Sequence, residues 1–125
     1  MDSEDAFTSF AVHGGQARAV VRPSHARRLC EGHLPGDPFL PGAHLVGLMA
    51  EVAARLVAAR SGPASALREV VRCVFLTPVR PDVEIVVTTA EPGDGRAPEP
   101  SLVDAEVRVR GAVAAHATLR FASPT

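Results

Sequence analysis

The stretch Gly32-His33-Leu34-Pro35-Gly36-Asp37-Pro38-Phe39-Leu40-Pro41-Gly42-Ala43-His44-Leu45-Val46-Gly47-Leu48-Met49-Ala50-Glu51 decides how this 125-residue chain reads. Its first half holds Gly32, Pro35, Gly36, Pro38, Pro41 and Gly42. So many prolines and glycines cannot continue a helix or a central strand, which makes the segment a shaped loop around His33. From Ala43 the punctuation stops, and an Ala-rich apolar run continues to about Arg60 as the longest predicted helix. The loop therefore brings His33 to a helix N-terminus, where free backbone N–H groups and the positive end of the helix dipole gather. An imidazole beside such donors suits a carbonyl that becomes an enolate.

The helix itself has an informative cross-section. Leu45, Leu48, Met49, Val52 and Leu56 fall on one broad apolar arc, extended by Val46, Ala53 and Val57. His44, Gly47, Glu51 and Arg55 share the narrow remaining stripe. The width of the arc predicts a helix wrapped by a sheet over most of its circumference. The stripe is left to meet a loop, a partner subunit or a ligand. Ser61-Gly62-Pro63 ends the helix.

Outward from this core the chain reads as strands. Residues 7–12 and 17–22 form an N-terminal hairpin about a turn at His13-Gly14-Gly15, ended by Pro23 and Ser24. His25 to Cys30 is one helical turn leading into the loop. Residues 67–77, 83–90, 102–110 and 112–122 are four Val-rich strands, the last two joined at Gly111. Glu91 to Ser101 is a loop rich in Pro and Gly. One long helix and about six strands give an α+β fold, an antiparallel sheet wrapped around a central helix in a single domain over residues 1–125. The exposed sheet edges and the uncovered helix stripe predict an oligomer.

Composition excludes several functions. A formal charge of -1 offers no electrostatic support for nucleic acid, and five Phe with no Trp or Tyr supply no stacking platform. The thirteen basic residues are all Arg, which together with the Ala content reflects a GC-rich genome. Cys30 and Cys73 have neither metal-ligand spacing nor the number needed for a disulfide framework, so reduced thiols in a cytoplasmic protein are expected. The acidic residues 1–5 carry no secretory signal, and no apolar run reads as a membrane span.

The eleven residues Gly32 to Gly42 resemble, at nearly every position, the Gly-His-Phe-Pro-Gly-x-Pro-x-Met/Leu-Pro-Gly signature of the β-hydroxyacyl–acyl-carrier-protein dehydratases, which have the hotdog fold. Thr77-Pro78-Val79-Arg80-Pro81-Asp82 is similar to that family's later Pro-Val-x-Pro-Gly-Asp turn with one Gly missing. The resemblance implies His33 as catalytic base and the Gly42 N–H as donor to a thioester carbonyl. Pro41, His44 and Gly47 are the implied substrate-contacting positions. It further implies a 3-hydroxyacyl thioester on acyl carrier protein or coenzyme A, a dimer with each site drawing on both protomers, and neither cofactor nor metal.

One departure matters. The family's acid, a Glu or Asp fourteen positions after the histidine, is replaced by Gly47. Glu51 one turn deeper, or His44 one turn earlier, would take its place, or the acid is absent. Glu51 is equally placed for an i,i+4 ion pair with Arg55. Three expectations stay open: a homodimeric dehydratase, a catalytically incomplete hotdog subunit of a heterodimer, and a hotdog thioesterase. Lipid-synthesis, polyketide and aryl-polyene pathways all use this fold, and the missing acid points towards a specialised pathway rather than housekeeping fatty-acid synthesis. Cys30 has no feature that would activate it as a nucleophile. His13, His25 and His116 read as ordinary turn, surface and strand residues. Asp37 reads as a partner of local backbone N–H groups.

Overall fold

A computed structural model describes residues 5–31, 36, 38–61, 66–91 and 101–122. In chain order the elements are β1 (Phe7–His13), β2 (Gln16–Val21), α1 (Pro23–Leu29), α2 (Gly42–Ser61), β3 (Leu67–Phe75), β4 (Ile85–Ala90), β5 (Ser101–Val109) and β6 (Ala112–Phe121). The strands form one antiparallel sheet in the order β1-β2-β4-β5-β6-β3. β1 and β3 are thus the two edges, and α2 lies across the middle.

Local chemistry explains the turns. The β5–β6 connection is a two-residue loop in which Arg110 and Gly111 both have positive φ, 54° and 79°. That backbone matches the right-handed twist of the flanking strands. Pro23 does more than end the hairpin. It opens α1 at the first helical position, where its missing N–H costs nothing. The segment expected as one helical turn is therefore a seven-residue helix.

The core follows from strict alternation. Ala17, Ala19 and Val21 of β2, Ile85, Val87 and Thr89 of β4, and Val103, Ala105 and Val107 of β5 point to the helix side and are buried. Leu45, Leu48, Met49, Val52, Ala53, Leu56 and Val57 of α2 meet them. Of the arc expected from the sequence only Val46 is less than fully buried, and it packs against the core together with the half-buried Ala50 and Ala54. α2 also corrects the membrane reading. From Gly42 to Arg60 it is long and apolar enough to span a bilayer, with a mean hydropathy of 1.4. Its large apolar side chains are instead spent on the sheet, and the Ala content keeps its hydropathy high across the rest.

β3 behaves differently from the inner strands. Leu67, Val70, Val71 and Phe75 are 39–51% exposed, and Leu76 just after it reaches 54%. Two register irregularities, between Leu67 and Glu69 and between Val70 and Arg72, break its alternation.

Candidate functional site

The start of α2 is built by Pro41. Its carbonyl accepts from the N–H groups of His44 (2.9 Å) and Leu45 (3.2 Å), which closes the first turn. The N–H groups of Gly42 and Ala43 precede that turn and have no intrahelical acceptor. The loop ahead of them is pinned by Leu40, whose N–H donates to the Val79 carbonyl at 2.8 Å. This joins the Pro-rich loop to the Thr77–Asp82 turn, the two stretches singled out in the sequence. His33 and Asp37 lie outside the described residues.

Gly42 is a glycine for a steric reason. A Cβ there would lie 2.9 Å from Cζ of Phe75 and 3.2–3.3 Å from the two Cε atoms of the same ring. Ring and helix start together form one wall of an apolar cavity of about 300 Å³, completed by Phe39, Leu40, Leu45, Leu76, Thr77 and Pro78.

A second cleft, of about 590 Å³, lies elsewhere on the helix. Its lining includes His44, Gly47 and Glu51 of α2, His25 and Leu29 of α1, and Asp5 with Phe7. At 3.6 residues per turn, His44, Gly47 and Glu51 sit roughly 140–200° around α2 from Gly42. The structure therefore gathers His44, Gly47 and Glu51 on one side of the helix and places Gly42 on the other. Gly47 meets open space: a Cβ there would have nothing within 4 Å.

Glu51 is held by Arg55, whose Nε donates to Oε2 at 2.9 Å, the i,i+4 pair expected from the sequence. The same guanidinium makes a two-pronged contact with the Asp5 carboxylate, at 3.0 and 2.8 Å. It also lies 5.0 Å from the centroid of the Phe7 ring and 5.5 Å from that of Phe10. Hydrogen bonding from Arg55 draws the Asp5 carboxyl below its ordinary pKa, and Asp5 in turn raises that of Arg55. Sequence reasoning missed Asp5, because fifty residues separate it from its partner.

Burial lowers the pKa of His25, reinforced by the nearby charges of Arg28 and His44. Burial also raises the Cys30 and Cys73 thiols, the opposite of what an activated nucleophile needs. Among the described residues no group of three or more His, Cys, Asp or Glu side chains is placed to hold a metal.

A family model described as the ApeI-like family, ApeI dehydratase, matches residues 11–97. The chain belongs to the ApeI-like dehydratase family. The matched span contains the His33 loop and all of α2, so the resemblance carried by Gly32–Gly42 holds. Among solved structures, the ApeI:P dehydratase heterocomplex from Xenorhabdus doucetiae superimposes with a TM-score of 0.71 at 11% identity, over 97% of this chain and 100% of that one. A Streptococcus mutans protein bound to acetyl CoA gives 0.71 at 15% identity, covering 97% and 93% of the two chains. A hypothetical thioesterase from Streptococcus pneumoniae with coenzyme A gives 0.68 at 15%, covering 96% and 92%. At these identities the likeness shows the fold, and the fold is the hotdog. No curated protein matches by sequence.

Proposed function

We propose that this ApeI-like protein dehydrates a 3-hydroxyacyl thioester, carried on acyl carrier protein or coenzyme A, to the trans-2-enoyl thioester. The observation that carries this is the family match over a span that includes the His33 loop and α2. In the proposed step His33 removes the proton alpha to the thioester carbonyl. The carbonyl oxygen, receiving the Gly42 N–H, takes up the developing negative charge. The electron pair then forms the double bond as the β-hydroxyl, protonated by an acid, leaves as water.

The acid is where this chain departs from the β-hydroxyacyl–acyl-carrier-protein dehydratase pattern it resembles. Glu51 is tied to Arg55 and 52% exposed, so it suits an ion pair better than a proton donor to a closed site. The open space over Gly47 supports a second reading, in which the chain is one half of a composite site and a non-identical hotdog subunit supplies the acid. The X. doucetiae relative is itself a heterocomplex. The exposed apolar side chains of β3 support an assembly along that edge, since an unpaired edge strand this apolar is a template for another chain.

The test is conversion of 3-hydroxybutyryl-coenzyme A by the purified protein, beside His33→Ala, Glu51→Gln and Gly47→Glu. Loss of the base is expected to lower the rate by about 10²–10⁴-fold. Glu51→Gln is expected to leave it within a few-fold. If the acid alone is missing, Gly47→Glu raises activity. Wild-type activity that survives His33→Ala would overturn the role of His33 as the base, and a folded wild type with no activity, alone or with a second hotdog subunit, would overturn the dehydratase reading. Thiol release without enoyl product would assign a thioesterase instead.

A further inference from the structure

Resting on the dehydratase reading above, we infer that His44 is the proton donor to the departing β-hydroxyl, in a site whose base and Gly42 N–H come from a second copy of this chain. Helix geometry calls for the second copy. His44 stands two residues after Gly42, roughly 200° around α2, so one thioester cannot meet both in the same chain. A two-fold pair sets the Gly42 side of one copy against the His44 side of the other.

The choice of His44 follows from its neighbours. Five titratable side chains line the cleft: Asp5, His25, His44, Glu51 and Arg55. Arg55 hydrogen-bonds to both carboxylates, and they raise its pKa, so it does not give up a proton. The same contact holds Asp5 ionised, with no proton to donate. Glu51 spends an oxygen on that guanidinium too. Burial, with Arg28 and His44 nearby, keeps His25 towards its neutral form against a smaller pull from Asp5. His44 is left. It is exposed, and no described residue forms a hydrogen bond or ion pair with its ring. An imidazole titrates near neutral pH, the range a general acid needs.

Gly47 gives the substrate room to reach it. Residues three apart on a helix stand about 5–6 Å from each other on one face, so His44 borders the space above Gly47. That space is empty, since a Cβ at Gly47 has nothing within 4 Å. A β-hydroxyl entering there meets the imidazole where the resembled pattern has a carboxylic acid. His33 of the second copy takes the alpha proton, and the C–H electron pair becomes the double bond. The C–O bond breaks, and its oxygen takes the His44 proton and leaves as water.

The test assays pure wild type, His33→Ala and His44→Gln on 3-hydroxybutyryl- and 3-chlorobutyryl-coenzyme A, with uncatalysed elimination subtracted. Chloride leaves without a proton, so the second substrate needs the base alone. His44→Gln should lower kcat on the hydroxy substrate by about 10²-fold or more and leave chloride elimination within a few-fold of wild type. His33→Ala should lose both. Adding Gly47→Glu to His44→Gln should recover about tenfold on the hydroxy substrate, as a second proton donor in the vacant space. His33→Ala and His44→Gln chains with different tags, co-expressed and purified as mixed dimers, should show about half the wild-type rate, because one of the two sites is intact.

Full hydroxy activity in His44→Gln, or equal losses on both substrates, would overturn the inference and leave the dehydratase reading intact. Mixed dimers without activity would overturn the sharing of the site between copies. A wild type active only beside a different hotdog subunit would assign the acid to that subunit and overturn the inference. A folded wild type inactive in both settings would overturn the dehydratase reading with it.

Discussion

Gly42 and Gly47 sit on the same helix, five residues apart, for opposite reasons. At Gly42 the Phe75 ring fills the place of a side chain. At Gly47 nothing does. The surroundings differ in the same way. The cavity at Gly42 is apolar and walled by backbone hydrogen bonds, so it belongs to the rigid part of the fold. The cleft at Gly47 is polar and closed at one end by side chains, Arg55 reaching from α2 to Asp5. A glycine with no steric excuse in an exposed helix interior costs stability, and the composite-site proposal is the reading that gives this one a use.

The largest effect is expected on the polar side. Arg55→Met removes the Asp5 and Glu51 contacts together but keeps most of the apolar stem that rests on Phe7 and Phe10. Because Arg55 is 30% and Asp5 45% exposed, solvent screening limits the loss to about 1–2 kcal/mol, measurable by urea unfolding. The pH dependence should change with it. The folded-state pKa of Asp5 lies below its unfolded value, so its contribution is complete above the unfolded value and is lost as pH falls towards the folded one. The wild type should therefore lose stability faster than Arg55→Met at the acid end. Parallel acid limbs would mean that the Asp5–Arg55 contact is not formed in solution.

On the apolar side, Gly42→Ala should destabilise by about 1 kcal/mol, the low end for overpacking because the half-exposed ring can turn away. In a Phe75→Leu background the same substitution should become neutral or stabilising. If it destabilises equally in both backgrounds, the ring is not the reason for the glycine.

The smallest effect has the opposite sign. Gly47→Ala should stabilise the isolated chain by about 0.5–1 kcal/mol, the difference in helix propensity, with no clash to offset it. A loss of stability in the isolated chain would show that Gly47 is packed after all. A gain in the isolated chain with weaker binding of a second hotdog subunit would locate that subunit over the cleft.

Much of this was legible because it is local. Pro and Gly in the Gly32–Gly42 loop announce a turn into a helix. The 3.6-residue spacing of Leu45, Leu48, Met49, Val52 and Leu56 gives the buried arc. Glu51 and Arg55 stand one turn apart and do pair. The alternation in β5 and β6, with a two-residue turn between them, fixes their hairpin. In each case the physical cause acts over a few residues, so the pattern lies in the sequence.

What only the tertiary structure decided depends on neighbours far along the chain. Val-rich β3 reads like the three strands that follow it, yet its place beside β6 makes it an edge with its apolar side chains exposed. The contact of Phe75 with Gly42 joins two elements whose meeting no spacing rule contains. Asp5 reaches Arg55 only because the fold brings the residues ahead of β1 to the Arg55 guanidinium, which also lies over Phe7 and Phe10. The sequence by itself determined the family, the order of elements and the loop that holds His33. The sheet's closure around α2 decided which glycine is filled, which is empty, and on which side of the helix each faces.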